Sequence, residues 1–198
     1  MFLRFMTKIM VLAGASAHAT TTIYDFDDLT LGNHQNNFSE GGWSFFAETS
    51  GSNPVNLAVE SGLGRLSSGP SDKVVSFGFP PASDSPITLV LIRPTNDESF
   101  KLESLWVGDG FGNANLRFEA YLNGSPVGLA PVDVDVFDTS TQVTFTGWNE
   151  LDEIRISNSS GPADLNFEID DLAISSVPEP GLPLLLAFGG LPLFYRRR

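Results

Sequence analysis

The sequence predicts an all-β protein. Residues 20–176 read as an antiparallel β-sandwich or jelly roll, with a signal peptide before it and a short hydrophobic helix after it. Three observations predict this. About nine or ten short runs are rich in Val, Ile, Phe, Tyr and Thr. Clusters of Gly, Pro, Asn, Asp and Ser separate them, residues that favour turns. No ten-residue stretch repeats apolar residues at helical spacing without a Gly or Pro interruption.

The runs follow in order. Lys73–Phe79 (KVVSFGF) and Ile87–Ile92 (ITLVLI) are β-rich and bounded by Pro, Ser and Asp. Phe100–Gly108 (FKLESLWVG) alternates Leu102 with Glu103, then shifts phase to Leu105 and Val107. In LRFEAYLNGSPVG, Leu116, Phe118 and Ala120 share one face, and Asn123-Gly124 signals a two-residue hairpin turn. QVTFTGW places Val143 and Phe145 on one face, and DEIRIS turns Ile154 and Ile156 inward.

Both chain ends read as processing segments rather than fold. Arg4 and Lys8 supply a positive region, Ile9–Ala15 an apolar core, and Ala17-His18-Ala19 a small-residue site that predicts cleavage after Ala19. At the other end, Val177-Pro178-Glu179-Pro180 precedes an uncharged run, Gly181–Tyr195, and then Arg196, Arg197 and Arg198. Fifteen helical residues span roughly 22 Å, short of the ~30 Å hydrocarbon core. Pro183, Pro192 and Gly189-Gly190 weaken the helix further. A transient membrane stop, with the arginines on the cytoplasmic side, suits this segment better than a permanent anchor.

Between these ends lie six basic and 23 acidic residues, a net charge of −17. Such a surface repels nucleic acid and anionic membranes and suits cation binding. The chain has no cysteine, which removes disulfides and thiol chemistry from consideration.

Two stretches echo one another: Tyr24–Leu29 (YDFDDL) and Phe167–Leu172 (FEIDDL). In each, the apolar alternation breaks at an Asp-Asp pair, which predicts a β-bulge. If the first and last strands are neighbours, Asp25, Asp27, Asp28, Asp170 and Asp171 crowd together. Crowded carboxylates repel unless protonated or bridged by a cation, and hard oxygen ligands suit a structural calcium. The alternative is that each pair ends a strand in water.

Nothing singles out catalysis, and the chain is expected not to be an enzyme. His34 lies in a polar loop with no nucleophile motif beside it. GDGFGN (Gly108–Asn113) precedes a strand rather than a helix, so phosphate-cradling geometry is missing. It reads as a hairpin loop, with Asp109 and Asn113 as further oxygen donors. Aromatic side chains are the remaining lead, because they stack on apolar sugar faces. Trp43 and Trp148 follow glycines near loop–strand junctions, and Tyr121 sits beside the hairpin turn. These three are the expected ligand-binding residues, with core packing the competing role for the tryptophans. Trp106 fits either face of its strand.

The C-terminal order (Val177–Pro180, Gly181–Tyr195, Arg196–Arg198) resembles the PEP-CTERM sorting signal of exported Gram-negative bacterial proteins. That resemblance implies recognition by an integral-membrane exosortase and cleavage at or near the motif. It also implies transient inner-membrane insertion and release to the cell surface or extracellular polymer matrix. The hairpin LRFEAYLNG and the segment VTFTGWNELDEIRISNSSGPADLNFEIDDLAI resemble the jelly-roll ectodomains carried by such proteins, and carbohydrate-binding modules. They imply a non-catalytic binding domain, often calcium-stabilised, with a polysaccharide as ligand. An acidic matrix protein without a sugar pocket is the alternative, and a glycoside hydrolase or other hydrolase the second.

Overall fold

The structure is a computed structural model. It describes residues 20–50, 56–61, 73–78, 86–109, 114–136, 140–161 and 165–176. The expected signal peptide with Ala17 and Ala19, the sorting segment from Val177 to Arg198, and Asn113 lie outside the described residues. Those described belong to one unit, Thr20–Val177. Among them no helix is long and apolar enough to cross a membrane.

The described chain is all β, in two seven-stranded sheets whose strand pairs are antiparallel. The first sheet has the order β12 (Thr141–Thr144), β8 (Phe100–Asp109), β14 (Phe167–Ser176), β6 (Lys73–Phe77), β5 (Asn56–Ser61), β2 (Gly32–Gln35). There β1 (Thr21–Tyr24) pairs with β14 as well. The second sheet has the order β10 (Ser125–Pro126), β9 (Ala114–Leu122), β13 (Glu153–Asn158), β7 (Ile87–Pro94), β4 (Trp43–Thr49), β3 (Asn37–Glu40). There β11 (Val132–Val136) joins through β9.

Period-two alternation builds the core. Along β4, Trp43, Phe45 and Ala47 are buried while Phe46 and Glu48 face water. Along β13, Ile154 and Ile156 are buried between half-buried neighbours. Both sheets contribute aromatic rings to the space between them. Phe77 stacks on Phe167 at 4.8 Å, Phe38 on Phe45 at 4.8 Å, and Phe118 meets Phe145 edge-on at 5.5 Å.

The expected hairpin is present. Pro126 pairs with Tyr121, and Asn123 and Gly124 both take positive φ (51° and 73°), as a two-residue turn matched to strand twist requires. Gly41-Gly42 makes a second such turn, joining Glu40 to its register partner Trp43. The QVTFTGW run is shorter than expected: β12 stops at Thr144, and Phe145 N–H donates to Glu103 C=O instead.

The two Asp-Asp stretches differ. In β14 the strand runs through the pair, and its register against β8 shifts between Asp170 and Ala173, with Asp171 at φ 45°. That is the expected bulge. The first stretch makes none, because β1 ends at Tyr24. Phe26 takes φ 60°, and its ring meets Phe45 edge-on at 5.7 Å. Burying that ring favours a turn over continued pairing. The first and last strands are neighbours, with Thr21 opposite Ser175 and Tyr24 opposite Leu172.

Candidate functional site: the outer face of the second sheet

The second sheet presents a groove on its outer face. Alternation that buries Phe45 and Ile92 turns Phe46 and Leu91 outward, and register sets them side by side. One row across the strands reads Asn37, Phe46, Leu91, Arg155, Glu119. The next places Ser39, Ser44 and Arg93 together, with Glu153 opposite Tyr121 further along. Asn37, Ser39, Ser44, Phe46, Leu91, Arg93 and Glu153 line a groove of about 390 Å³ with the edges of Phe38 and Phe45. Phe46 is 37% exposed, a large apolar side chain out of phase with its strand's buried face.

Three arginines stand on this face in an otherwise acidic domain. Arg117 grips Asp133 with two hydrogen bonds of 2.8 Å. That pairing raises the arginine's pKa and holds the Asp133 carboxyl below its ordinary range, through the hydrogen bonds first. Arg155 Nε donates to Glu153 Oε1 at 2.6 Å, and its guanidinium lies 3.7 Å over the Tyr121 ring. Arg93 is exposed and, among the described residues, has no carboxylate within ion-pair distance. Ser39 and Ser44 share a hydroxyl hydrogen bond of 2.6 Å beside it.

A second hollow follows the β1 edge. Tyr24 and Trp43 meet edge-on at 5.3 Å and line both a space of about 330 Å³, rimmed by Asp25, Asp28 and Glu40, and one of about 300 Å³, rimmed by Asn96 and Glu98. Glu40 accepts hydrogen bonds from Thr30 N–H and Oγ1, which lower its pKa.

The expected sugar platforms at Trp43 and Trp148 are corrected by burial. Each is 2% exposed and belongs to the hydrophobic core, Trp43 against Phe100 and Trp148 against Phe145. Both fall on inward positions, where removing an indole from water outweighs display. Tyr121 is half-buried beneath Arg155 at the far end of the groove face. Trp106 lies half-buried in β8, opposite Gln142 and Asp170.

The aspartates are brought together in part. Burial raises the Asp171 pKa, and the charges of Asp25 and Asp27 add to it, so these three share one corner. Asp28 is exposed in the edge hollow. Asp170 is fully buried, and its Oδ1 accepts the Asp171 N–H at 2.7 Å. Among the described residues no group of three or more His, Asp or Glu is placed to hold a metal ion. The cation at this corner is Lys73, whose Nζ donates to the carbonyls of Asp27 and Leu29. Asp109 closes β8, and its side chain lies outside the described residues. His34 stacks on Phe38 at 4.4 Å, and its buried Nε2 has no hydrogen-bond partner among the described residues.

Sequence reasoning missed the groove residues Asn37, Ser39, Ser44, Phe46, Leu91, Arg93 and Glu153. The signal was Phe45-Phe46: alternation in WSFFAET buries one ring and displays the other.

The sequence matches no protein-family profile and no curated protein. Among solved structures, the fold is similar to a family 29 carbohydrate-binding module from Piromyces equi. Identity is 9% and the TM-score 0.40, over 81% of this chain and 93% of that one. It is also similar to CtCBM11, at 13% identity and a TM-score of 0.33, over 84% of this chain and 100% of that one. At these TM-scores neither likeness bears on function.

Proposed function

We propose that this protein is a non-catalytic binding domain that takes a carbohydrate on the outer face of its second sheet. The observation that carries the reading is the juxtaposition of Phe46 and Leu91 with Ser44, Asn37 and Glu153. An apolar patch accepts the C–H face of a sugar ring, and the surrounding polar groups reach its hydroxyls. A groove lined from β3, β4, β7 and β13 offers a polymer contacts on several neighbouring strands.

The proposal includes delivery. The chain is exported by its leader, held briefly at the inner membrane, and released by an exosortase at Val177–Pro180 to the surface or extracellular matrix. What supports this is the order of motif, apolar run and arginines at the terminus. Mass spectrometry of the exported protein tests it: a new N-terminus at Thr20 and loss of the arginine tail are expected, and an intact C-terminus refutes the sorting step.

Affinity electrophoresis through gels cast with soluble polysaccharides tests the binding. Retardation by at least one glycan, lost in Phe46→Ala, is expected. Equal retardation of both proteins moves the site elsewhere. No retardation by any glycan favours the acidic matrix protein, bridged through its carboxylates without a sugar pocket.

A further inference from the structure

We propose, resting on the carbohydrate reading, that the ligand is an acidic polysaccharide whose uronate carboxylates dock on Arg93. The three arginines of the groove face are in different states. Arg117 is chelated by Asp133. Arg155 is held by Glu153 and seated on Tyr121. Among the described residues, Arg93 alone of the three is exposed without a carboxylate in ion-pair distance, although Glu153 lines the same groove. The ion pair of Glu153 is with Arg155, which leaves Arg93, among the described residues, as the groove arginine without an ion-pair partner.

The choice of arginine matters. A guanidinium presents a planar fork of donors that matches the two oxygens of a carboxylate, and it is always charged. Arg93 lies beside Ser44 in register and one row from Phe46 and Leu91. A hexuronate ring has this combination of features: an apolar ring face, hydroxyls, and a carboxylate projecting from one end. A neutral hexose uses the apolar patch and the hydroxyl partners but leaves Arg93 without a mate.

The domain's net charge of −17 opposes any polyanion. That repulsion acts over distances at which salt screens it, since the Debye length is about 8 Å at physiological ionic strength. A direct guanidinium–carboxylate contact is far shorter. The two effects therefore differ in degree: salt screens the long-range repulsion more than the short fork contact. An acidic face with one arginine in its groove selects polymers that present the carboxylate in register with an apolar ring, and rejects polyanions in general.

Polygalacturonate and its fully methyl-esterified form test this, because they share a backbone and differ in charge. Purified protein is compared with Arg93→Gln and Phe46→Ala by affinity electrophoresis at 0.15 M salt, with circular dichroism confirming that each variant is folded. Wild type is expected to bind polygalacturonate at least about tenfold more tightly than the ester. Arg93→Gln removes that preference and keeps the weaker binding, and Phe46→Ala loses both. Equal binding to acid and ester, unchanged in Arg93→Gln, overturns the inference and leaves the carbohydrate reading intact. Binding only to a neutral glycan does the same. No binding to any glycan overturns both.

Discussion

Lys73 and Asp27 hold each other at both ends of the acidic corner. The Lys73 backbone N–H donates to Asp27 Oδ1 at 3.0 Å, and its ammonium donates to the Asp27 carbonyl, with Leu29 C=O at 2.7 Å completing the grip. This joins the turn after β1 to the start of β6. Lys73→Met keeps the apolar stem and removes the ammonium. Hydrogen bonds to charged groups contribute about 1.5–3 kcal/mol. For a domain of this size each kcal/mol moves the melting temperature by about 2–4 °C. A drop of several degrees in thermal unfolding is the expected result, and an unchanged melting temperature would show the turn to be held by its other contacts.

The same pairing sets an expectation for the response to calcium. With Lys73 seated against the turn carbonyls, excess calcium is expected to raise the melting temperature no more than magnesium does, relative to chelator. A structural calcium spanning Asp25, Asp27 and Asp171 would do otherwise. Occupancy at a hundredfold excess over its dissociation constant adds about 2.7 kcal/mol. A calcium-specific rise of many degrees, lost in Asp171→Asn, would establish that site.

Asp171 carries an unfavourable charge in the folded state. Burial, followed by Asp25 and Asp27, raises its pKa above 3.8. The unfolded chain releases this proton at lower pH than the native protein does. Ionised Asp171 therefore destabilises the fold at neutral pH. The penalty fades as pH falls through the raised native value, and is gone below the unfolded one. Asp171→Asn removes the charge and retains a side chain that tolerates φ 45°. A modest rise in melting temperature at pH 7 is expected, shrinking towards zero near pH 3. A variant less stable at pH 7 would mean that the carboxylate makes a favourable contact outweighing the repulsion.

The fold was legible where one local rule acted alone. Asn123-Gly124 specifies its turn through backbone conformation, and the alternation around Ile154 and Ile156 specifies the buried face of β13. The bulge at Asp170-Asp171 was legible because strand phase is a two-state pattern. YDFDDL misled because its phase break has two physical solutions, a bulge or a turn. The contact of Phe26 with Phe45, distant in sequence, selects the turn. The site was illegible for a related reason. A tryptophan after glycine reads equally as platform or core, and only tertiary packing assigns Trp43 and Trp148 to the interior. Arg93 acquires meaning once Arg117 and Arg155 are seen to be paired.

Buried tryptophans make a spectroscopic prediction. Trp43 and Trp148 are shielded, and Trp106 lies on the first sheet, away from the groove residues. Emission is expected to be blue-shifted, with acrylamide quenching dominated by Trp106. Saturating glycan should leave both emission and quenching nearly unchanged. Strong protection from quenching on binding would place the ligand against Trp106 on the first sheet and move the site off the groove.

Phe45 and Phe46 separate stability from binding within two consecutive residues. Phe45 is 0% exposed and touches Phe26, Phe38 and Phe77 across the core. Truncating it leaves a cavity that neighbouring rings cannot fill, and Phe→Ala in such a site costs about 3–5 kcal/mol. Phe46 already meets water, so Phe46→Ala is expected to cost about 1 kcal/mol or less in denaturant unfolding, within the range of surface changes. Its effect should fall on glycan retention, where the apolar platform is lost. Phe45→Leu, which keeps most of the buried volume, should bind glycan normally despite reduced stability. If Phe46→Ala instead sharply lowers stability while the folded variant retains glycan affinity, the exposed ring is a structural brace for the β4–β7 pairing. The carbohydrate site must then be sought elsewhere, beginning with the hollow beneath Tyr24.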